Sequence, residues 1–571
     1  MKYLALIAVL WSMSPYAFAQ QAFEHFITTE GSKLMDGDEE FRFLSFNIPN
    51  LNYVEDEMAF ERVNPYDLPN EFEMRDALST IREMGGRVVR MYTIPVRSAD
   101  FPPEAVTYVE APGVFNETAF RTLDTLLALA HQYEIRLIFP LLNNWQWMGG
   151  VPNYAAFRDQ APNAFWSDRQ LIRDFKQTIR FVLDRVNTVT GIPYKEDKAI
   201  LCWETGNELQ CPHSWTVEMT RFIKRHDPNH LIMDGFHAIN DVPIRRGSLE
   251  EPSIDIVTSH HYEVNPLEMT RNILRKVDQV AGRKPYIVGE FGFISTAAMQ
   301  SVIDSLIDHP YIAGGLTWSL RYHHRNGGFY WHSEPVGLGL YKAYHWPGFP
   351  SGDAYDERAF MAMWREKAFA IQGLPAPPVS VPLSPELLPI TAPHGISWRG
   401  AMGGAGYHVQ RAPGAEGPWE TVGYHLSDAA VQNFPLFHDQ GARPGTDYFY
   451  RVLAINASGS SEPSNVVGPI RFDRQALVDN LHNVGTLYHH EKIAIVTGED
   501  RSYKEITHRA AGQRGSEMIY EVPGPFRSLT VYAFDNKPQP QLELWASADG
   551  QRYERIEAAV DTYVVGEHSY D

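Results

Sequence analysis

The chain has 571 residues, more than the roughly 250 to 300 at which a single hydrophobic core stops growing, so two or three domains are expected. Its formal net charge of -20 at pH 7 excludes nucleic-acid backbones and anionic lipid surfaces as favoured partners, because both would be repelled. Aromatic residues make up 12% of the chain, and such side chains stack on the flat apolar faces of sugars as well as filling cores.

The first nineteen residues have the pattern of a secretory signal peptide. Lys2 precedes an apolar run at residues 3–11, and Ala17-Phe18-Ala19 forms an A-x-A cleavage pattern. We therefore expect residues 1–19 to be removed near Ala19/Gln20 and the product to be secreted, either extracellular or periplasmic. No membrane anchor is expected, because no cysteine follows the cleavage site and no later stretch approaches the roughly 20 apolar residues of a membrane span.

Short β-type runs alternate with amphipathic helical patterns from about residue 40 to residue 320. This alternation is typical of βα units around a parallel sheet. One helical pattern places Ile172, Phe175 and Ile179 on a single face, and a last helix at 356–371 would close the ring. Eight strands are predicted, at residues 41–47, 87–92, 136–142, 200–208, 231–238, 255–262, 285–292 and 314–320.

These elements predict the fold class α/β, with a (β/α)8 TIM barrel at residues 20–372 that is followed by β-sandwich domains. An open doubly wound sheet is the weaker alternative. No G-x-G-x-x-G turn follows the first strand, which disfavours a dinucleotide-binding fold. Cys202 lies in the fourth predicted strand and Cys211 in the loop beyond it, so two free thiols are favoured over a disulfide.

The composition changes after the barrel. A Pro-rich stretch at residues 373–380 predicts a stiff linker, and residues 381–472 contain short strands separated by turn residues, as in a small β-sandwich. This segment resembles fibronectin type III modules in Ile396-Ser397-Trp398, in Gly406-Tyr407-His408-Val409-Gln410-Arg411 and in Tyr448-Phe449-Tyr450-Arg451-Val452.

Residues 473–571 are also predicted to be rich in β-strands. Leu542-Glu543-Leu544-Trp545 precedes an Asp549-Gly550 turn, as in a hairpin. The segment is weakly similar to discoidin-like or carbohydrate-binding sandwiches. No closing strand is evident before Asp571, so an incomplete domain is one expectation.

Two glutamates follow apolar strand runs of the predicted barrel. The fourth strand ends in Trp203-Glu204-Thr205-Gly206-Asn207-Glu208, and the seventh ends in Ile287-Val288-Gly289-Glu290-Phe291-Gly292. Reactive groups of such barrels collect at the carboxyl ends of the strands. Cleavage of a glycosidic bond needs one carboxylic acid to protonate the leaving oxygen and one carboxylate to meet the oxocarbenium-like centre. Glu208 and Glu290 can supply both groups.

The barrel resembles glycoside hydrolase family 5, and within it the β-mannanases, from Gly31 to about residue 350. The similar motifs occur in the same order on the corresponding strands. They are Arg90, Asn143-Asn144-Trp145, residues 185–191, Asn207-Glu208, His260-His261-Tyr262, Gly289-Glu290-Phe291-Gly292 and Trp318.

This resemblance implies a retaining enzyme in which Glu208 is the acid/base and Glu290 the nucleophile, with carboxyl groups about 5 to 5.5 Å apart. The acid role also requires a raised pKa for Glu208. Among the supporting residues, Asn207 would bind the sugar 2-hydroxyl, and Arg90 and Tyr262 would contact Glu290. His260 would lie beside the pair, and Asn144, Trp145 and Trp318 would bind substrate.

The expected partner is a polysaccharide or oligosaccharide, with no metal and no organic cofactor. His260 and His261 alternate across a strand, so they cannot both face one metal ion. Aromatic residues near strand ends are candidate sugar platforms, a role favoured for Trp145 and Trp318 and left open against core packing for the others. The candidates are Trp145, Trp147, Trp215, Trp318, Tyr330 and Trp331. Residues 325–332 are predicted to form a long loop over the barrel mouth.

The chain departs from the commonest family pattern beside the acid/base. Leu209 stands where proline usually follows the Asn-Glu pair, and Thr205-Gly206 is also unusual. Neither change removes a reactive group, but both leave the substrate open. Hydrolysis of β-1,4-mannosidic bonds in mannan-type polysaccharide by double displacement is favoured, and an exo-β-mannosidase or a hydrolase of β-glucan or host glycan are alternatives. A catalytically silent carbohydrate-binding surface protein and a purely structural surface protein are alternatives of other classes.

Overall fold

The structure is a computed structural model that describes residues 22–54, 66–336, 339–349, 356–429, 435–496, 508–533 and 542–560. The predicted signal peptide at residues 1–19 lies outside these ranges. Among the helices in the described ranges, none has the length and apolar character needed to cross a membrane.

Eight parallel strands form a closed barrel, which confirms the predicted fold class. They are β1 (Phe43–Asn47), β2 (Val88–Arg90), β3 (Arg136–Pro140), β4 (Ile200–Glu204), β5 (Leu231–Asp234), β6 (Ile256–His261), β7 (Tyr286–Phe291) and β8 (Ile312–Thr317). The barrel closes where β8 pairs with β1, with Gly314 opposite Phe43. This pairing rules out the open doubly wound sheet. All eight predicted strands are present, but several end earlier than predicted, above all β4 and β5.

Helices surround the barrel and bury one apolar face against it. They are α1 (Glu71–Glu83), α2 (Glu117–Tyr133), α3 (Val151–Ala156), α4 (Arg169–Asp184), α5 (His213–His226), α6 (Arg246–Glu250), α7 (Pro266–Val280), α8 (Thr296–Asp308) and α9 (Glu357–Ala370). Short 3-10 helices occur at Pro49–Leu51, Pro162–Trp166 and Tyr194–Glu196. Helix α4 shows the pattern: Phe175 and Ile179 are buried, whereas Ile172 is only partly buried.

A small antiparallel sheet covers the amino-terminal end of the barrel. Its strands are Ile27–Glu30, Lys33–Asp36 and Glu39–Glu40. Ile27 and Leu34 belong to one buried apolar cluster with barrel residues such as Phe43. The carboxyl-terminal end of the strands is therefore the end at which loops can form a cleft. Two further hairpins lie outside the barrel, Val109–Ala111 with Val114–Phe115 and Ser333–Val336 with Gly339–Lys342.

The segment after the barrel forms two antiparallel sheets around its own apolar core. The strands are β9 (Glu386–Leu387), β10 (Trp398–Arg399), β11 (Gly406–Ala412), β12 (Glu420–Leu426), β13 (Asp447–Asn456), β14 (Gly459–Ser460) and β15 (Val467–Arg471). Strand β9 pairs with β10, and the others form a sheet around β13. Trp398, Tyr407 and Val452 are among the buried residues shared by the two sheets.

The carboxyl-terminal segment contains two further hairpins. They are β16 (His489–Val496) with β17 (Arg509–Ile519) and β18 (Leu544–Ala546) with β19 (Glu554–Ile556). The predicted strand at residues 542–545 lies partly in β18. Both cysteines of the chain, Cys202 and Cys211, are free and buried, as predicted.

The predicted linker lies against the barrel. Ser380 donates from its backbone N–H (3.0 Å) and its hydroxyl (2.8 Å) to the carboxylate of Glu83 in α1, and Arg365 in α9 donates to the carbonyl oxygen of Pro377 (2.8 Å). Side-chain bonds of this kind hold the chain where it leaves α9. The sandwich is therefore docked on the barrel rather than carried on a free spacer.

The segment predicted to lie over the barrel mouth joins the two domains. Arg325 pairs with Glu73 of α1 at 2.6 Å, and Arg399 of β10 donates to the carbonyl oxygen of Arg325 at 2.9 Å. Phe329 and Trp331 pack with Ala429 of the sandwich in a small buried cluster. This loop is thus held from both sides.

A buried histidine, His323, lies between two carboxylates at this junction. Nδ1 of His323 lies 2.9 Å from Oδ2 of Asp76 in α1, and its Nε2 lies 3.2 Å from Oδ2 of Asp428 in the sandwich. A Cβ on Gly400 would lie 2.1 Å from the ring of His323, so the close approach requires glycine there. Burial lowers the pKa of His323, but Asp76 and Asp428 raise it more, to about 10.

We predict that His323→Gln lowers the free energy of unfolding by about 3 kcal/mol at neutral pH, because two buried carboxylates lose their shared cation. The folded-state pKa lies above the ordinary 6.5, so this stabilisation is complete below pH 6.5 and is lost as the pH rises through about 10. Denaturant unfolding across that range should show the difference between parent and variant shrinking. His25→Gln, which alters an exposed pair with Asp36, is the control. A difference in the free energy of unfolding that does not change with pH would contradict the raised pKa of His323.

Candidate active site

The two predicted catalytic glutamates lie together at the carboxyl-terminal end of the barrel. Glu290 belongs to β7, whereas Glu208 follows β4, which ends at Glu204. One carboxylate oxygen from each of Glu208 and Glu290 and one ring nitrogen of His260 in β6 all lie within 4.8 Å of one another. This spacing is close to the separation of about 5 to 5.5 Å in retaining glycosidases and short of the roughly 6.5 to 9.5 Å of inverting ones.

Backbone contacts fasten the loop that carries Glu208 to both of its neighbours. The N–H of Asn207 donates to the carbonyl oxygen of Leu142 beyond β3 (2.6 Å), and the N–H of Leu209 donates to that of Gly235 beyond β5 (2.8 Å). Glu208 itself has a φ of 52°, in the left-handed region that non-glycine residues seldom adopt. The surrounding bonds hold this conformation, so the side chain is presented in a fixed direction.

The residues that depart from the family pattern make this loop. A Cβ on Gly206 would lie 2.3 Å from the carbonyl oxygen of Leu142, and a Cβ on Gly235 would lie 1.7 Å from that of Gly206, so both positions require glycine. The hydroxyl of Thr205 accepts the N–H of Gly235 at 2.9 Å. Leu209 uses the N–H that a proline would lack. The departures therefore form a consistent local arrangement.

Arg90, the last residue of β2, is a buried cation between two carboxylates. Its Nε and Nη2 donate to the two oxygens of Glu204 at 2.7 and 3.0 Å, and its Nη1 donates to Oε1 of Glu290 at 2.7 Å. Asn47 and Asn207 accept further bonds from the same guanidinium, at 3.1 and 2.9 Å. Burial lowers the pKa of Arg90, but Glu204 and Glu290 raise it more, so the cation persists.

Asn207 lies between this cation and the wall of the site. Its Oδ1 accepts from Arg90, and its Nδ2 donates to the hydroxyl of Tyr92 (3.1 Å) and to Oδ1 of Asn143 (3.2 Å). The side chain is buried. These contacts fix the orientation of the amide beside Glu208.

The two asparagines of the third-strand motif have different positions. Oδ1 of Asn144 accepts the backbone N–H of Gln210 at 3.0 Å, so this side chain ties two loops together. Asn143, in contrast, reaches Asn207 with its Oδ1 and donates from Nδ2 to the carbonyl oxygen of Trp147 at 2.8 Å. Asn143 is therefore the member of this pair whose side chain contacts the site.

Glu290 is buried and accepts hydrogen bonds on both oxygens. Tyr262 donates its hydroxyl to Oε2 at 2.5 Å, Arg90 donates to Oε1, and Nδ1 of His260 lies 3.3 Å from Oε2. The backbone N–H of Tyr262 donates to Oδ1 of Asn240, which fixes the strand end that carries the phenol. Burial raises the pKa of Glu290 more than His260 and Arg90 lower it.

Glu208 is held by two other side chains. Its Oε1 lies 2.9 Å from Nδ1 of His260, and its Oε2 accepts the indole N–H of Trp145 at 2.7 Å. Burial raises the pKa of Glu208, but the hydrogen bond and charge of His260 and the bond from Trp145 lower it more, to about 2. The expected raised pKa of Glu208 is therefore wrong for this arrangement, because its direct contacts outweigh burial.

Three tryptophans follow barrel strands at the same end of the barrel as these carboxylates. Trp145 is 40% exposed, and Trp318 is buried with its ring 6.1 Å from that of Tyr92 and 6.4 Å from that of Trp147. Trp147 is partly buried and also packs on His332, at 6.1 Å. Among these rings, Trp145 presents the largest accessible surface to a ligand.

The remaining platform candidates are core residues. Trp215 in α5 is buried and stacks on Phe175 of α4 with ring centroids 5.8 Å apart. Tyr330 is buried and donates its hydroxyl to Glu73, and Trp331 is buried in a cluster with Phe329 and Ala429. A platform role for Trp215, Tyr330 and Trp331 is therefore wrong, because their rings face helices and loops and not the cleft.

Sequence reasoning missed several polar residues of the site as functional candidates. Glu204, the last residue of β4, makes the bidentate pair with Arg90, and Asn47 donates from β1 to the carbonyl oxygen of Gly289 at 2.9 Å. Tyr92 lies two residues beyond β2. Polar residues at the ends of otherwise apolar strands were the available signal, and Glu204 shows it most clearly.

Glu208, His260 and Glu290 are close enough to accommodate a cation, a grouping that the spacing of His260 and His261 did not suggest. Each glutamate already accepts hydrogen bonds from protein donors, and a nitrogen of Arg90 lies 2.7 Å from Glu290. A second positive charge beside this buried guanidinium would be repelled. The arrangement therefore disfavours a metal ion between these three groups.

The sequence of the barrel matches a known family. Residues 25–293 match the family described as GH family 5 beta-mannosidase-like. The barrel is similar to family 5 glycoside hydrolases. The matched range runs from the sheet that covers the amino-terminal end of the barrel through β7, so it includes Arg90, Glu208 and Glu290.

Individual relatives share part of their length with this chain. Mannan endo-1,4-beta-mannosidase 4 of Solanum lycopersicum is 29% identical over 237 residues, which are 38% of this chain and 55% of that protein. Putative mannan endo-1,4-beta-mannosidase 9 of Oryza sativa subsp. japonica is 30% identical over 263 residues, which are 37% and 64% of the two chains. A glycoside hydrolase family 5 mannosidase structure from Rhizomucor miehei is 19% identical, covers 62% of this chain and 100% of that chain, and has a TM-score of 0.48. The chain spans 31% to 64% of the length of the first curated relatives that it matches.

We predict that Leu209→Pro lowers kcat for glycoside hydrolysis by about tenfold, although proline is the common family residue at this position. The substitution removes the N–H that donates to Gly235 and so releases the loop of Glu208 on one side. Leu209→Ala keeps this donor and is the matched control. Rates on mannan, with circular dichroism to check folding, would measure the effect. A Leu209→Pro protein as active as the parent would show that this bond does not position Glu208.

Proposed function

We propose that the chain is a retaining glycoside hydrolase that cleaves β-1,4-mannosidic bonds in mannan-type polysaccharide, with Glu290 as nucleophile and Glu208 as acid/base. The observation that carries the proposal is the approach of these two carboxylates to within 4.8 Å while Arg90 contacts only one of them, Glu290. The names of the curated relatives support mannan as the substrate class.

The acid must hold a proton even though its contacts favour the carboxylate. Oε1 of Glu208 and Nδ1 of His260 are 2.9 Å apart, so a single proton on this line gives either an ion pair or a neutral acid beside a neutral imidazole. A neutral sugar that displaces water from the cleft favours the neutral arrangement, because it lowers the local dielectric. The proton then resides on Glu208.

Glycosylation follows from this state. A carboxylate oxygen of Glu290 attacks the anomeric carbon as the bond from that carbon to the leaving oxygen breaks, and Glu208 delivers its proton to the leaving oxygen. Arg90 and Tyr262 hold the nucleophile in place with hydrogen bonds to its two oxygens. We place the sugar 2-hydroxyl toward Asn207, which precedes Glu208 and accepts a hydrogen bond from the same guanidinium that contacts Glu290.

Deglycosylation reverses the roles of the acid/base. Glu208, now a carboxylate, takes a proton from water as the water oxygen attacks the anomeric carbon, and the ester bond to Glu290 breaks. The sugar leaves with its original anomeric configuration. Both glutamates then regain their starting protonation, so the cycle needs no external oxidant or reductant.

The other parts of the chain support an exported glycan-degrading enzyme. We propose that residues 1–19 are a secretory signal peptide, on the basis of the Ala17-Phe18-Ala19 pattern. We also propose that residues 381–472 are a fibronectin type III module. The two antiparallel sheets around Trp398 support this proposal, as do the motifs on β10, β11 and β13.

An exo-acting β-mannosidase is the second candidate, because the matched family is described as beta-mannosidase-like. We expect mannan and manno-oligosaccharides to give a ladder of products with retained anomeric configuration, since the relatives named above are endo-enzymes. Chromatography of the products, with NMR of the first-formed anomer, would measure this. Release of mannose or mannobiose alone would favour the exo-enzyme, and cleavage of cellulose but not mannan would indicate a β-glucan hydrolase.

We predict that Glu290→Ala lowers the rate of mannan hydrolysis by at least about 10⁴-fold while leaving glycan binding intact, because only the nucleophile is removed. Glu268→Ala, which alters a glutamate in the first turn of α7, should keep the parent rate. Reducing-sugar release and affinity electrophoresis in mannan would measure the two properties. A parent that binds glycan but hydrolyses no β-glycan would instead favour the catalytically silent binding protein.

A further inference from the structure

Trp145 contacts the acid/base directly. Its indole Nε1–H donates to Oε2 of Glu208 at 2.7 Å, while the opposite oxygen, Oε1, faces Nδ1 of His260 at 2.9 Å. The two oxygens of one carboxyl group thus have different partners. Indole nitrogen can only donate a hydrogen bond, whereas a histidine nitrogen can donate or accept.

The loop around Trp145 holds the indole in place. The backbone N–H of Asn144 donates to the carbonyl oxygen of Asn207 at 3.1 Å, and the side chain of Gln146 donates to Asp100 at 2.8 Å. A Cβ on Gly150 would lie 2.4 Å from the carbonyl oxygen of Trp145, so the loop closes tightly on itself. The ring of His237 packs edge-on against the indole, with centroids 5.9 Å apart. The indole therefore lies in a supported position although 40% of the residue is exposed.

We propose that Trp145 is a positioning residue for Glu208: its N–H keeps Oε2 as the hydrogen-bond acceptor and so leaves Oε1 to carry the proton that is transferred. This inference rests on the acid/base role proposed for Glu208. It goes beyond a sugar platform, because it assigns the indole edge to the acid/base and leaves the exposed indole face free for a sugar.

The proposal follows from the geometry of the carboxyl group. A protonated carboxyl has one oxygen that bears the hydrogen and one that only accepts. A fixed N–H donor at Oε2 makes that oxygen the acceptor, so the hydrogen occupies Oε1, on the line to His260. This arrangement keeps the transferable proton where His260 can supply it. Loss of the indole N–H would allow the carboxyl to rotate and to place the hydrogen on either oxygen.

The charges around Glu208 determine the expected pH effect. Glu208 interacts with Glu290 from β7, with His260 from β6, with His237 from the loop after β5 and with Tyr92 from the loop after β2. Removing a donor from the carboxylate raises the pKa of Glu208, because the charged form loses a hydrogen bond. The limb of the pH profile at which the acid loses its proton should move to higher pH.

The test is a series of substituted phenyl β-mannobiosides whose leaving phenols have different pKa values. In Trp145→Phe, which keeps an aromatic ring, kcat/KM should fall by about tenfold for the poorest leaving groups and change little for the best, because good leaving groups need no proton. The plot of log kcat/KM against leaving-group pKa becomes steeper. The basic limb of the pH profile should also shift to a pH about one unit higher.

Trp419→Phe is the matched control and should reproduce the parent plot, because Trp419 directly precedes β12 of the sandwich and packs against Arg451. A purely packing or platform role for Trp145 would lower kcat/KM equally for all substrates of the series, because their phenyl leaving groups have nearly the same size. Parallel plots for parent and Trp145→Phe, with an unmoved pH profile, would overturn the proposal.

A second measurement does not depend on catalysis. In protein labelled with ¹⁵N-tryptophan, the indole signal of Trp145 is assigned as the one that Trp145→Phe removes. Its chemical shift should change with pH in the parent and lose that transition in Glu208→Gln. A signal unaffected by Glu208→Gln would overturn the contact itself. A parent that hydrolyses none of the glycosides, but shows the pH transition, would reject the proposed function and retain the contact between Trp145 and Glu208.

Discussion

The site depends on one buried guanidinium. Arg90 uses two nitrogens in a bidentate pair with Glu204 and a third for Glu290, so the plane of the guanidinium and the direction of the bond to Glu290 are fixed together. Burying any one of these charges alone would be costly, and each is retained because the others are present. A lysine could not make the same contacts, because its ammonium group lacks the planar set of N–H donors that forms the bidentate pair. Arg90 therefore determines where the carboxylate of Glu290 lies.

Barrel closure brings this contact beside a second carboxylate. Glu204 ends β4, and the next four residues lead to Glu208, so the strand that anchors Arg90 also begins the loop that presents Glu208. The loop crosses above its neighbours at van der Waals distance, which only Gly206 and Gly235 permit. The separation of the two carboxylates is thus set by a buried ion pair on one side and by backbone hydrogen bonds on the other. Neither depends on a flexible surface loop.

The barrel could be predicted from the sequence because hydrophobic periodicity marks its strands and helices. Buried parallel strands are continuous apolar runs, so eight strands could be found, and strand-end glutamates could be ranked by their position. The contact of Trp145 with Glu208 joins two loops, and no local pattern specifies such a contact. The acid role alone predicts a raised pKa for Glu208. The contacts with His260 and Trp145, which lower this pKa, are not visible in the sequence. The positions of Trp145 and Trp215 could not be distinguished from the sequence, because aromatic side chains occur both in sugar-binding clefts and in hydrophobic cores. Trp145 is exposed, whereas Trp215 is buried.

The sandwich takes part in the same arrangement through the loop that follows β8. His323 and Arg325 on this loop are held between α1 and the sandwich by buried ion pairs and a backbone bond. Further along the same loop, His332 packs on Trp147, which contacts Trp318 and so reaches the cleft. A displacement of the sandwich would have to break these buried ion pairs or move the packed rings of His332, Trp147 and Trp318. Both changes are energetically costly. The second domain therefore acts as structural support for one side of the cleft.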